Sequence, residues 1–203
     1  MDIDLFPDTI HRTTMLEHVD AAQQLCELAR PHLRSTDQKS LTTLVHHQPI
    51  QGEYTWNAID HPLAQPLIRS VAEYTRAKLH KISYRIYTVY VQNMWFNLMT
   101  AGASQAAHNH YGYSFSAVYY AHVPDRPKAK LVFQNPVAQI GGQILTDDDE
   151  QSLRGRYARQ YFETGDLVLF PSHLIHGVPP VEGEGERWSM AFDIVLRNRP
   201  QQS

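Results

Sequence analysis

Apolar residues in the first third of the chain recur at helical spacing, and beyond that they gather into short runs of β type. Over Met15–Leu33 (MLEHVDAAQQLCELARPHL), Leu16, Val19, Ala22, Leu25, Leu28 and Ala29 fall near a helical period, which predicts an amphipathic helix broken by Ser35-Thr36-Asp37. Asp60 is placed to cap a second helix, with Pro62 in its first turn and Leu63, Leu67, Val71 and Tyr74 on one face. His18, His61 and His80 lie on or beside these helices and are expected to face solvent or cap rather than bind a ligand.

From Ile82 the texture changes. Residues 82–99 (ISYRIYTVYVQNMWFNLM), FSAVYYAHV, KLVF, DLVLF and WSMAFDIVL are rich in β-branched and aromatic residues and are punctuated by Gly, Pro and Asn. Such spacing predicts a mainly β fold, an antiparallel sandwich or small barrel supported by the N-terminal helices. Residues 179–186 (PPVEGEGE) are expected to form a hairpin loop joining the last two strands. The long connection from about Gln134 to Gln160 is expected to be a solvated loop with a short helix, or alternatively a lid over a site.

Length and composition narrow the class. The 203 residues suit a single domain, with about residues 1–80 as helical support and about 82–198 as the β core. A net charge of −3 without a Lys/Arg stripe argues against nucleic acid as a partner. Apolar runs stay well below the roughly 18–20 residues that span a bilayer, and the N-terminus has no signal-peptide pattern. The single cysteine, Cys26, excludes an intrachain disulfide and suits a reducing compartment. A soluble, cytoplasmic protein is expected, working on a small-molecule substrate without nucleic acid or membrane, with a homodimer left open.

Histidine changes the picture. Twelve are present, and at that density a chance H-x-H is expected roughly 0.7 times. The pair His108 and His110, in AHNHYGYSFSAVYY, is therefore weak evidence alone. In an extended segment the two would face the same way. A second cluster, GDLVLFPSHLIHGVPPVEGEGERWSMAFDIV, brings His176 after an apolar strand and then Arg187 and Ser189 two apart on a strand. An arginine and a hydroxyl on one face form a carboxylate receptor, and this arginine, flanked by Trp188 and Met190, is costly to bury without an anion. Imidazoles suit Fe, Zn, Cu or Ni.

The order H-x-H, SAVYY, GDLVLFPSHLIHGV and R-x-S resembles the double-stranded β-helix (jelly-roll, cupin-like) oxygenases that use Fe(II) and 2-oxoglutarate. It most resembles a bacterial and phage family whose signature runs roughly H-N-H-P-x-S-x-x-S-G-V-Y-Y, then G-D-L-V-x-F-P-S-x-x-x-H-x-V, then R-x-S, over about residues 93–195. The resemblance implies an enzyme that hydroxylates a small molecule or peptide-like substrate with O2 and releases succinate and CO2. It implies iron binding by His108 and His176, and contact of Arg187, Ser189 and Tyr120 with the far carboxylate of 2-oxoglutarate. His110 stands where most of the wider superfamily has Asp or Glu. It is either a genuine third metal ligand, or a residue behind the ligands with a water or another carboxylate in its place. Trp95, Asn97, Tyr113 and His173 are candidate pocket residues.

Two rivals use the same stretches. Gly102 before H-N-H, and Gly165, Pro171 and His176, also fit the cupin template, in which three histidines commonly hold a metal without 2-oxoglutarate. That template lacks its glutamate here, since 114 and 115 are Ser and Phe, and has no role for R-x-S. A non-catalytic β-helix domain that binds a metabolite is the other.

Overall fold

The computed structural model describes residues 9–35, 41–42, 58–79, 87–124, 129–134 and 157–198. Strand β1 (His11–Thr14) leads through a 3-10 turn, Leu16–His18, into helix α1 (Val19–Ala29), then a second 3-10 turn and strands β2 (Arg34–Ser35) and β3 (Leu41–Thr42). Helix α2 (Gln65–Leu79) precedes β4 (Tyr87–Met99), β5 (Gln105–His108), β6 (Phe115–His122) and β7 (Ala129–Gln134). Strands β8 (Tyr157–Phe162), β9 (Asp166–Pro171), β10 (His176–Val178) and β11 (Arg187–Asn198) complete the order.

The strands form two antiparallel sheets. The larger runs β1-β9-β6-β11-β4-β3-β2 and the smaller β5-β10-β7-β8. Alternation along the larger sheet sorts its side chains. Phe96, Tyr119, Leu167, Met190 and Phe192 pack outward against Leu25 of α1 and Val71 of α2. Their neighbours Tyr120, Val168 and Phe170 face the other way, toward Phe133 and Val178 of the smaller sheet. The helices therefore cover one face of the large sheet, and a second core fills the space between the sheets. This is the jelly-roll expected from the chain.

Several expectations change in detail. The N-terminal third also supplies β1, β2 and β3 to the large sheet, beyond the helical support expected of it. In α1 the buried stripe is Ala22, Leu25, Cys26 and Ala29, whereas Leu16 and Leu28 are exposed. Leu16 instead covers Gly165, with its Cδ2 only 2.7 Å from where a Cβ would stand; the turn there needs glycine also for its φ of +88°. Asp60 ends a 3-10 turn and does not cap α2, which starts at Gln65. Pro66 dictates the later start: in the first turn its missing N–H is harmless, whereas a helix begun at His61 would need it. His61 accepts the Leu63 N–H at Nδ1 (3.2 Å) within the turn that precedes α2, and His18 is buried and bonds Ser70 at 2.8 Å.

Residues 179–186 do not close a hairpin. They carry the chain from β10 in the small sheet to β11 in the large one. His80, residues 82–86 and residues 135–156 of the expected lid segment lie outside the described residues. No described helix is long and apolar enough to cross a membrane.

Candidate metal centre

Strand β11 shows how the fold builds a polar site inside an apolar strand. Trp188, Met190, Phe192 and Ile194 belong to the core under the helices. The alternate residues Arg187, Ser189 and Asp193 are buried on the opposite face, inside the sandwich. Tyr120 on β6 is the register partner of Ser189 and lines the same cavity as Arg187. Burial raises the Tyr120 phenol well above the ordinary tyrosine range, so it stays a neutral donor. Arg187 is 5% exposed. Its Nη2 donates to the sulfur of Met99, and its Nε has no hydrogen-bond partner among the described residues. Desolvation lowers its pKa. A buried guanidinium with an unused donor fits an anionic guest.

Farther along the cavity, three histidines converge. His108 ends β5 and His176 begins β10, and the two are partners in the β5–β10 ladder. His110 lies in the turn after β5, where its N–H donates to the Ser172 carbonyl at 2.9 Å. One nitrogen of each ring comes within 4.8 Å of the others. The second nitrogens face partners: His108 Nδ1 bonds the Ala106 carbonyl and His176 Nδ1 the Leu174 carbonyl, each at 2.9 Å, and His110 Nδ1 stands 2.9 Å from Asp193 Oδ1. Nε2 of each ring is left for a ligand. Burial, reinforced by His108 and His110, pushes His176 down to about 3, and burial lowers His108 as well. Both rings are therefore neutral near neutral pH, the form that binds a metal.

The strand pairing of β5 ends at His108 and the turn begins at His110, and the two rings come together as their spacing led one to expect, with centroids 5.0 Å apart. Trp95 stacks on His110, centroids 5.5 Å apart, and Phe170 meets His176 edge-on at 4.6 Å. Trp95 and Asn97 line the cavity with the three histidines, Arg187, Ser189 and Tyr120. Tyr113 and His173 are not among the lining residues. Tyr113 accepts a hydrogen bond from Asn93 Nδ2 at its hydroxyl (2.7 Å), while His173 is exposed between the buried Ser172 and Leu174. Asp193 was not singled out in the sequence, although it continues the 187, 189, 191, 193 alternation that carries Arg187 and Ser189. A larger cavity of about 920 Å³ opens between α1 and Trp188, away from the histidines, and gathers no group of metal donors among the described residues.

Three convergent imidazoles and a buried guanidinium whose Nε has no partner among the described residues, in one cavity, suit an Fe(II) ion and an anionic cosubstrate. Comparison with known proteins agrees. The family described as "Putative 2OG-Fe(II) oxygenase" matches residues 93–193, which include every residue of the cavity discussed above. No curated protein matches the chain. A prolyl-4-hydroxylase from Pseudomonas putida superposes with a TM-score of 0.57 at 15% identity, covering 95% of this chain and 94% of that one. HygX from Streptomyces hygroscopicus, solved with nickel and 2-oxoglutarate bound, superposes with a TM-score of 0.58 at 12% identity, covering 93% and 83%. SnoN, a non-heme α-ketoglutarate-dependent epimerase from nogalamycin biosynthesis, gives 0.61 at 12% identity, covering 97% and 83%. At such identities these neighbours establish the double-stranded β-helix fold, and the family match establishes the chemistry: the chain belongs to the 2OG-Fe(II) oxygenases and is an Fe(II)- and 2-oxoglutarate-dependent oxygenase.

Proposed function

We propose that His108, His110 and His176 hold the iron, and that Arg187, Ser189 and Tyr120 receive the carboxylate of 2-oxoglutarate remote from it. When bound, iron and 2-oxoglutarate supply oxidative decarboxylation to succinate and CO2, coupled to hydroxylation of a small molecule or peptide-like substrate. The observation that carries this reading is one cavity with three convergent imidazoles at one end and a buried, incompletely bonded Arg187 at the other. A cupin-type centre without 2-oxoglutarate leaves that arginine without an anion.

The residues divide the work. His108 and His176 present Nε2 without losing a proton, because their Nδ1 atoms already bond backbone carbonyls. Arg187 and Ser189 fix the far end of the cosubstrate, and the Tyr120 hydroxyl donates to it. Leu131, Phe170 and Val178 give the cavity apolar walls that limit water near the reacting atoms. Trp95 and Asn97 are the side chains placed to meet the primary substrate. A reducing, cytoplasmic setting suits both Fe(II) and a single buried thiol.

Anaerobic addition of Fe(II) and 2-oxoglutarate tests the assignment through the weak visible charge-transfer band of the chelate. The native protein is expected to show the band, and His108→Ala to lose it. Arg187→Ala is expected to retain it only at higher 2-oxoglutarate. An undiminished band in His108→Ala overturns the ligand assignment.

A further inference from the structure

A three-histidine centre contributes no charge of its own. Three neutral imidazoles leave Fe(II) at +2, whereas two histidines and a carboxylate leave +1. A carboxylate nevertheless stands one side chain away. Asp193 is 4% exposed, and its Oδ1 lies 2.9 Å from His110 Nδ1. Its Oδ2 accepts from Asn93 Nδ2 at 3.0 Å, and that same amide reaches Tyr113. The carboxylate is thus anchored on one oxygen and aimed at His110 with the other.

We propose that Asp193 is the positioning residue of the centre: it holds His110 with Nε2 toward the metal and places behind this ligand the negative charge that the ligand set lacks. The inference rests on the three-histidine reading above. His108 and His176 are oriented by neutral backbone carbonyls, while His110 is backed by a charge. An imidazole that donates to a carboxylate is more basic at its other nitrogen and holds a cation more tightly. His110 also sits in a turn, without the strand ladder that fixes its two partners, and so needs a side-chain anchor. Trp95 on its face leaves mainly rotation in the ring plane, and Asp193 limits that rotation. Among the described residues Oδ1 has no hydrogen-bond donor, and His110 Nδ1 stands 2.9 Å from it, so a bond completed there would satisfy a buried oxygen and set Nε2.

Binding of Co(II) to the metal-free full chain, followed by titration calorimetry and the cobalt visible spectrum, tests this without turnover. Asp193→Asn keeps the volume and an acceptor oxygen but removes the charge. It is expected to weaken Co(II) binding about 10–100-fold while keeping a three-histidine spectrum. In the double variant His110→Ala/Asp193→Asn, the second change is expected to add nothing to the first, because Asp193 acts through His110. If His110→Ala binds Co(II) as well as native protein, the three-histidine reading itself fails. If His110→Ala weakens binding and Asp193→Asn does not, that reading stands and the role of Asp193 is overturned. Additive losses in the double variant also overturn it, as does a cobalt spectrum in Asp193→Asn that reports a lost direct ligand. Should Asp193→Asn fail to fold, Asn93→Ala removes the Oδ2 anchor instead: a lesser weakening is expected, and unchanged affinity counts against the proposal.

Discussion

His108 and His176 are partners across the β5–β10 ladder, with ring centroids 4.5 Å apart. Two residues far apart in sequence are thus brought to metal-binding distance by the backbone pairing itself. Their convergence is settled on folding, so a metal has little left to organise. Metal should therefore stabilise the fold measurably. Co(II) at 100 times its dissociation constant is expected to raise the unfolding free energy by about 2.7 kcal/mol, seen as a higher Tm. In His176→Ala this rise should vanish at the same concentration, while a persistent rise would place the metal elsewhere.

Gly177 guards the same ladder. A Cβ there would stand 2.9 Å from the Gln105 carbonyl and 3.1 Å from the Ala107 nitrogen, both backbone atoms that cannot swing aside. Gly177→Ala must push β5 away from β10, and β5 carries His108. We expect a destabilisation of roughly 1–3 kcal/mol together with weaker Co(II) binding. Native stability and affinity in this variant would show that the two strands are farther apart in solution.

The receptor for 2-oxoglutarate should respond in a graded way. Removing Arg187 takes away one member of a buried charge-assisted pair, a loss of roughly 2–5 kcal/mol. Arg187→Ala should therefore raise the half-saturating 2-oxoglutarate concentration by between about 30-fold and a few thousand-fold, with the iron requirement little changed. Tyr120→Phe removes one hydrogen bond from a neutral donor to that carboxylate, about 1.5–3 kcal/mol, and should raise it roughly 10- to 150-fold, less than Arg187→Ala does. Steady-state kinetics with succinate as readout separates the two, and equal effects would argue against a charged contact at Arg187.

How much of this was legible follows from the kind of signal each element carries. DLVLF, FSAVYY and WSMAFDIVL are long and apolar enough to read as strands, and the structure has β9, β6 and β11 there. Strands β5 (QAAH) and β10 (HGV) carry almost no β-forming residues and exist through their pairing partners, so the sheet that joins the histidines was hidden. The Gly- and Pro-rich 179–186 stretch announces a loop but not the sheet it leads to. Asp193 was visible only by extending the Arg187–Ser189 alternation four more residues into a run that otherwise reads as core. The spacing of H-x-H suggested that the two rings face the same way, and they do converge, although the strand pairing itself ends at His108.

Cys26 is expected to be inert. It is buried in the core under the large sheet, and burial pushes its thiol up to about 12. Native protein should therefore resist iodoacetamide near pH 8 and react only after unfolding. The sign of the linked stability follows. Above about pH 9 the unfolded chain sheds the thiol proton while the native state keeps it, so stability falls as pH rises, by up to about 1.4 kcal/mol per pH unit. Cys26→Ala should flatten that slope between pH 9 and its folded value, and an unchanged slope would assign it to other groups.

Ser116 and Ser172 test how the seat of His110 is held. Their hydroxyls meet at 2.8 Å in full burial, joining β6 to the turn whose Ser172 carbonyl takes the His110 N–H. Replacing either serine by alanine leaves the other hydroxyl buried without its partner, at a cost of roughly 1–3 kcal/mol. Replacing both removes the orphan as well as the bond, so the double variant should be less destabilised than the sum of the singles, with a coupling of about 0.5–3 kcal/mol. Urea unfolding of the four proteins measures the cycle. Additive single effects would mean that the two hydroxyls do not bond in solution, and the turn would then owe its position to backbone contacts alone.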